Sequence, residues 1–214
     1  MLRPLLLLFS LFFITSSFAQ DTIVINETSK LVSSNSKETC LFTEGESSLN
    51  DVLHKQFKAK KDVKLDYVTG VLWVKLAIKN TSTKTRFVLH VSDGHLSGFY
   101  LYKPTPKGYV MTPGRLHHPE DGREIYNRIP AFFIDLNQGE TKTYYLKIYA
   151  TNEVVNFNYL IEDTVSYIEA VQIDYLILGL YLGALILIFT INIFYYVSLK
   201  NSLFLVYAAY VFAT

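Results

Sequence analysis

The run Gly70-Val71-Leu72-Trp73-Val74-Lys75-Leu76-Ala77-Ile78-Lys79-Asn80 repeats with a period of two. A strand points successive side chains to opposite faces, so Leu72, Val74, Leu76 and Ile78 turn one way and Trp73, Lys75, Ala77 and Lys79 the other. Asn80-Thr81-Ser82-Thr83 then supplies the small polar residues that end a strand. The same alternation recurs on the C-terminal side. Phe87, Leu89 and Val91 interleave with Arg86, Val88 and His90, and Phe99 and Leu101 with Tyr100 and Tyr102, with Ser92-Asp93-Gly94 as the turn between them. Residues 108–111 read as a return strand after Pro104-Thr105-Pro106-Lys107. Residues 131–136, 143–150 and 154–162 read as further strands, with Asn137-Gln138-Gly139-Glu140 as a turn. Short alternating runs separated by turn residues predict a mainly β fold, an antiparallel sandwich.

Helical signal in this middle region is sparse. Ser48-Leu49-Asn50-Asp51-Val52-Leu53 reads as a short capped turn, because Ser48 followed by Asp51 has the spacing of a capping box. Cys40 is the single cysteine, so an intramolecular disulfide framework is excluded and the domain must be held by its own core, with Cys40 read as a small buried apolar side chain.

The two ends have a different character. Met1-Leu2-Arg3-Pro4, the apolar run 5–14 and the small-x-small site Ser17-Phe18-Ala19 have the layout of a cleaved secretory signal, residues 1–19. An uncleaved anchor is the alternative, though the run is short for a span of about 20 residues. Residues 175–197 carry no charge between Asp174 and Lys200 and reach about 34 Å as a helix, enough to cross a bilayer. Export of what precedes this helix puts residues 198–202 in a cytoplasmic turn. Residues 203–214 are again uncharged, about 18 Å of helix, and read as the start of a second span within which the chain stops. That predicts the N-terminal piece of a longer polytopic protein, or a truncated gene product. Gly179-Leu180-Tyr181-Leu182-Gly183 is a small-xxx-small pattern, and Asn192 is a polar side chain within the span, so Gly179, Gly183 and Asn192 are expected to pack against neighbouring helices.

The 214 residues have a mean hydropathy of +0.21, an excess contributed by these ends. Roughly 150 residues remain for one ordinary water-soluble domain. Their formal charge is −1, which points to no polyanion-binding surface and to no nucleic-acid partner.

No spacing of a known catalytic or phosphate-binding motif is present, so no enzyme and no cofactor is expected. His117-His118 with Glu120 and Asp121 contain metal-binding residue types, but neighbours on an extended strand diverge, and residues 113–128 read as a polar loop. Trp73, Tyr100, Tyr102, Tyr145 and Tyr149 share the face opposite Leu72, Phe99, Leu146 and Ile148. Flat rings on such a face either stack on sugars and other apolar ligand surfaces or pack beneath the N-terminal segment or a loop. Arg115, His117, Arg123 and Tyr126, on the long loop, form a second candidate cluster.

Three segments carry a family resemblance: Gly70 to Leu76 running on to Asn80-Thr81-Ser82, Gly139 leading into Tyr144-Tyr145-Leu146-Lys147-Ile148, and Gly179 to Gly183 continuing to Asn192, Tyr195, Lys200-Asn201-Ser202 and Tyr207. In this order they resemble the bacterial seven-transmembrane receptors with diverse intracellular signalling modules, the 7TMR-DISM family, over residues 21–214. The resemblance implies a jelly-roll-like extracytoplasmic sensor that binds carbohydrate or another small ligand, seven helices and a cytoplasmic output module. The expected organisation is then a signal peptide at 1–19, a sensor at 20–165, a connector at 166–174, a transmembrane helix at 175–197, a turn at 198–202 and the start of a second helix at 203–214. The expected setting is the inner membrane, with the sensor outside it. The expected partners are the lipid bilayer, a small molecule or glycan, the remaining helices and an output domain. The alternative is a membrane-tethered glycan- or protein-binding module without signalling.

Overall fold

The computed structural model describes residues 22–27, 31–33, 38–59, 68–91, 98–114, 122–153 and 158–213. Within them the period-two runs become β1 (Ile23–Ile25), β2 (Leu31–Ser33), β3 (Thr39–Thr43), β4 (Lys58–Ala59), β5 (Val68–Asn80), β6 (Arg86–Val91), β7 (Gly98–Thr105), β8 (Gly108–Pro113), β9 (Ala131–Asp135), β10 (Thr141–Glu153) and β11 (Tyr159–Asp163). One sheet has the order β4-β3-β5-β10-β7-β8, with β1 also on β5, and the other the order β2-β11-β6-β9. The chain divides into two units, residues 1–161 and 162–214.

The sandwich follows from which alternate residues are apolar. Leu72, Val74, Leu76 and Ile78 of β5 and Leu146 and Ile148 of β10 meet Phe87 and Leu89 of β6, Phe132 and Ile134 of β9, and Tyr159 and Ile161 of β11 in one core. Each such side chain, removed from water, contributes about 1.5–3 kcal/mol. Cys40 lies in that core, fully buried and in no disulfide. The antiparallel registers pair Lys147 with Trp73 and, on the other side, with Tyr100, so β10 is the middle strand of the large sheet. Strand β1 departs from the expected antiparallel pattern, lying parallel to the end of β5 with Ile23 opposite Ile78.

Asn80 joins the two layers at the end of β5. It is fully buried. Its Nδ2 donates to the Leu136 carbonyl at 2.9 Å and the Lys84 carbonyl at 2.6 Å, and its Oδ1 accepts from the Ser82 backbone N–H at 2.9 Å and the Ser82 hydroxyl at 2.8 Å. Carbonyls only accept and a backbone N–H only donates, so the amide orientation is settled by its partners. The Asn-Thr-Ser strand end is therefore a structural corner between β5, β6 and the chain beyond β9.

In the second unit, α2 (Thr164–Leu199) follows directly on β11 in the chain, and α3 (Ser202–Ala213) follows α2; a one-turn helix, α1 (Leu49–Leu53), belongs to the first unit. Asp163 caps α2, its carboxylate accepting from the backbone N–H of Val165 and Ser166 and from the Ser166 hydroxyl at 2.8 Å. Residues 166–174, expected as a connector, are thus continuous with the helix. At the far end, Lys200 takes a left-handed conformation and the Asn201 side chain accepts from Leu203 N–H at 3.0 Å, so the reversal needs only residues 200–201. Long enough and apolar enough to cross a membrane, α2 leaves Leu176, Leu180, Ile186 and Leu187 each 60 % or more exposed. A helix apolar on all sides suits a lipid surrounding. Ring contacts of Tyr195 with Phe204 and of Phe189 with Phe212 pack α3 on α2.

Candidate functional site

The outer face of the large sheet carries the aromatic set. Tyr145 stands opposite Tyr102 and Lys147 opposite Tyr100 on β7, while Lys147 faces Trp73 and Tyr149 faces Val71 on β5. The alternation that buries Leu146 and Ile148 in the sandwich therefore gathers Trp73, Tyr100, Tyr102, Tyr145 and Tyr149 on one surface.

That surface is partly roofed. Residues 44–57 leave β3, cross the sheet and carry α1, whose Leu49 and Val52 pack with Val71, Trp73 and Tyr145 in a second apolar cluster that also takes in Phe57 and Tyr109. Within the roof, the Asp51 carboxylate accepts from the Ser48 N–H and hydroxyl, each at 2.7 Å, realising the capping expected from the sequence. The crossing needs Gly70: a Cβ there would sit 2.3 Å from the Thr43 carbonyl oxygen. Under the roof Trp73 is completely buried, and its Nε1 donates to Ser47 Oγ at 2.8 Å. Tyr145 is also buried and stacks edge-on with Tyr109. Burial, then Tyr109, pushes its phenol up to about 12. Of the five rings, Tyr100, Tyr102 and Tyr149 remain half-exposed beside the roof.

At the centre lies Lys147, with its side chain only 6 % exposed. Its ammonium sits 4.8 Å from the Tyr149 ring centroid and 5.4 Å from that of Trp73. It donates to Glu46 Oε1 at 2.6 Å, and the Tyr149 hydroxyl donates to the same oxygen at 2.6 Å. Those two bonds, from Lys147 first and Tyr149 second, hold the Glu46 carboxyl below the usual carboxylate range. Burial pushes Lys147 down, but Glu46 and Tyr149 together outweigh it and leave the ammonium raised.

The second candidate cluster is described only in part. Arg115 and His117 lie outside the described residues, as do His118, Glu120 and Asp121. Arg123 rests over the Tyr126 ring at 5.8 Å, with Tyr126 70 % exposed. Nearby Glu124 anchors this loop, pairing with Lys103 of β7 at 2.5 Å and accepting from Phe133 N–H of β9 at 3.2 Å. Among the described residues no group of three or more His, Cys, Asp or Glu stands together as a metal site. In the helices, nothing lies within 4 Å of a Cβ built on Gly179 or Gly183, so that stripe is open, and the Asn192 amide donates to the Ile188 carbonyl of its own helix at 2.9 Å.

Sequence reading missed Glu46, Ser47, Tyr109 and Lys147. Lys147 was accessible to it, since it alternates with Tyr145 and Tyr149 and must share their face. Glu46 was not, because nothing local in residues 44–48 tells where an irregular segment crosses a sheet. Chemically, the surface offers ring faces, a phenol donor and a desolvated cation, a set suited to binding.

Compared with known proteins, the chain matches the model of the 7TMR-DISM extracellular 2 domain over residues 42–161, more than half its length. None of the curated proteins matches it. Among solved structures it is similar to a family 35 carbohydrate binding module from Clostridium thermocellum, at 10 % identity, over 61 % of this chain and 89 % of that one, with a TM-score of 0.24.

Proposed function

We propose that this chain, which belongs to the 7TMR-DISM extracellular 2 family, takes a small extracytoplasmic ligand on the outer face of its large sheet and passes the event to the helices. A domain of this family is the extracellular sensor of a membrane receptor, and α2 supplies a helix long and apolar enough for the membrane. The observation that carries the reading is the grouping of Tyr100, Tyr102 and Tyr149 around Lys147 on the middle strands, where rigid pairing on both sides fixes the rings. Trp73 and Tyr145, buried beneath residues 44–57, hold that surface in place from below. Sugars and other small ligands with one apolar face suit such rings.

Transmission is proposed to use the junction at Asp163, where strand passes into capped helix with no coil residue between them in the chain. A ligand shifts a two-state element only through different affinities for its two states. The test is a ligand screen on the full chain in lipid nanodiscs, repeated with Tyr100→Ala and Tyr149→Ala, whose side chains are half-exposed. Binding that both variants weaken tenfold or more supports the site; binding unchanged in both, or lost instead in Tyr126→Ala, moves it elsewhere. A Gly/Ser insertion beside Ser166 in a signalling-competent receptor should abolish the response while leaving binding intact. An undiminished response would favour a tethered binding module.

A further inference from the structure

From the asymmetry of the Lys147–Glu46 pair, we infer that the Glu46 carboxylate stands in for a carboxylate carried by the ligand. The inference rests on the outer-face reading above and specifies its chemistry. Lys147 is built into the middle of β10, buried, with Trp73 and Tyr149 as aromatic walls and the Tyr149 hydroxyl as a second donor. Its partner is the opposite in every respect. The Glu46 side chain is 69 % exposed, and it belongs to the irregular stretch between β3 and α1 beside Gly45, around whose built Cβ nothing lies within 4 Å. A buried cation needs an anion, whereas an exposed carboxylate loses little by returning to water. The site therefore keeps its cation and both donors fixed and closes them with a removable anion.

Lifting residues 44–46 breaks the exposed bond from the Thr43 hydroxyl to the Gly45 carbonyl at 3.2 Å but leaves the roof itself tied. Ser47, one residue on, stays tied by the Trp73 indole at 2.8 Å and by the Thr43 hydroxyl at 3.0 Å. A ligand carboxylate entering there accepts the same two hydrogen bonds, and its body lies against Tyr149 and Tyr100, whose rings meet edge to face at 5.7 Å. Such a ligand competes with Glu46, so the resting protein is self-inhibited toward acids and indifferent to their neutral counterparts. Trp73, the single tryptophan, reports on the exchange because Lys147 sits over its ring.

The experiment titrates the full chain in nanodiscs with glucuronate and galacturonate, and with glucose and galactose as neutral controls, by calorimetry and Trp73 emission. Glu46→Gln is expected to tighten binding of the acids about tenfold and to leave the neutral sugars unchanged. Lys147→Met is expected to remove the preference for acids. Tyr149→Phe, which keeps the ring and deletes one donor, is expected to lower it several-fold and serves if Lys147→Met fails to fold. Acid binding equal in Glu46→Gln and the unsubstituted chain, or no acid binding to Glu46→Gln at millimolar concentration, overturns the inference. Neutral-sugar binding that depends on Tyr100 and Tyr149, with the acids bound no better by Glu46→Gln than by the unsubstituted chain, overturns it while leaving the outer-face reading intact. Acid binding strengthened by Glu46→Gln yet indifferent to Tyr100→Ala would keep the surrogate and refute the aromatic platform.

Discussion

Replacing Asn80 by aspartate changes one NH2 group into an oxygen and little else, yet it should damage the sandwich in a pH-dependent way. The Asn80 amide donates to the Leu136 and Lys84 carbonyls, and only a donor can sit there. An ionised carboxyl would orphan the buried Leu136 carbonyl and face two carbonyl dipoles, while the part-buried Lys84 carbonyl can turn to water. One buried unsatisfied acceptor costs about 1–3 kcal/mol, and the uncompensated charge adds to it, so the introduced group takes up a proton on folding. Its pKa in the fold is then raised above its unfolded value. The sign follows: the folded state binds the extra proton, so stability falls as pH rises between the two values, by up to about 1.4 kcal/mol per pH unit. Denaturation of Asn80→Asp and the unsubstituted chain, followed by Trp73 emission at pH 5 and pH 8, should give a deficit of about 2 kcal/mol at pH 5, clearly larger at pH 8. An equal deficit at both values would refute the donor role of the amide, and no deficit would refute the corner itself.

Trp73→Phe should cost about 2 kcal/mol through the lost bond to Ser47 and the gap left by the smaller ring; a melt by circular dichroism with no change would mean the indole is not held as described. Gly70→Ala should destabilise by more than about 1 kcal/mol, because the new methyl meets the Thr43 carbonyl, and hydrogen exchange should quicken first in residues 44–48. Acidification should release Glu46. Its pKa is depressed, so the contact with Lys147 and Tyr149 is complete above the ordinary carboxylate range and is lost as pH falls through the lowered value. A step in Trp73 emission on the acid side of the ordinary carboxylate range, absent from Glu46→Gln, would register it.

The strands that could be read locally were those in which every second residue is strongly apolar. Leu72 to Ile78 and Phe87 to Val91 occupy the interior as their alternation requires, and the Asn137 to Glu140 turn falls between β9 and β10. Strands β1 to β4 escaped because two to five residues with little alternation hold too little pattern, and the parallel pairing of Ile23 with Ile78 depends on residues 55 apart in the chain. Alternation could give the face of Trp73 but not its cover, since roofing by residues 44–57 is a tertiary event made possible by Gly70. For residues 154–162 the expected strand is seen only at Tyr159–Asp163, and residues 154–157 lie outside the described part. The first helix takes in the expected connector and residues 198–199 of the expected turn, because Asp163 caps its start and residues 200–201 suffice to end it and cap its successor, which hydropathy cannot indicate.

In β10 the residues that fill the sandwich interior and those that turn to the outer face of the sheet alternate one by one. Leu146 and Ile148 belong to the interior, Tyr145, Lys147 and Tyr149 to the outer surface. Under the proposed outer-face site, exchanging the half-exposed Tyr149 should redirect what is recognised without rewriting the architecture, whereas a change one position away would unmake it. On the proposed reading, one strand thus holds recognition and cohesion in separate sets of side chains.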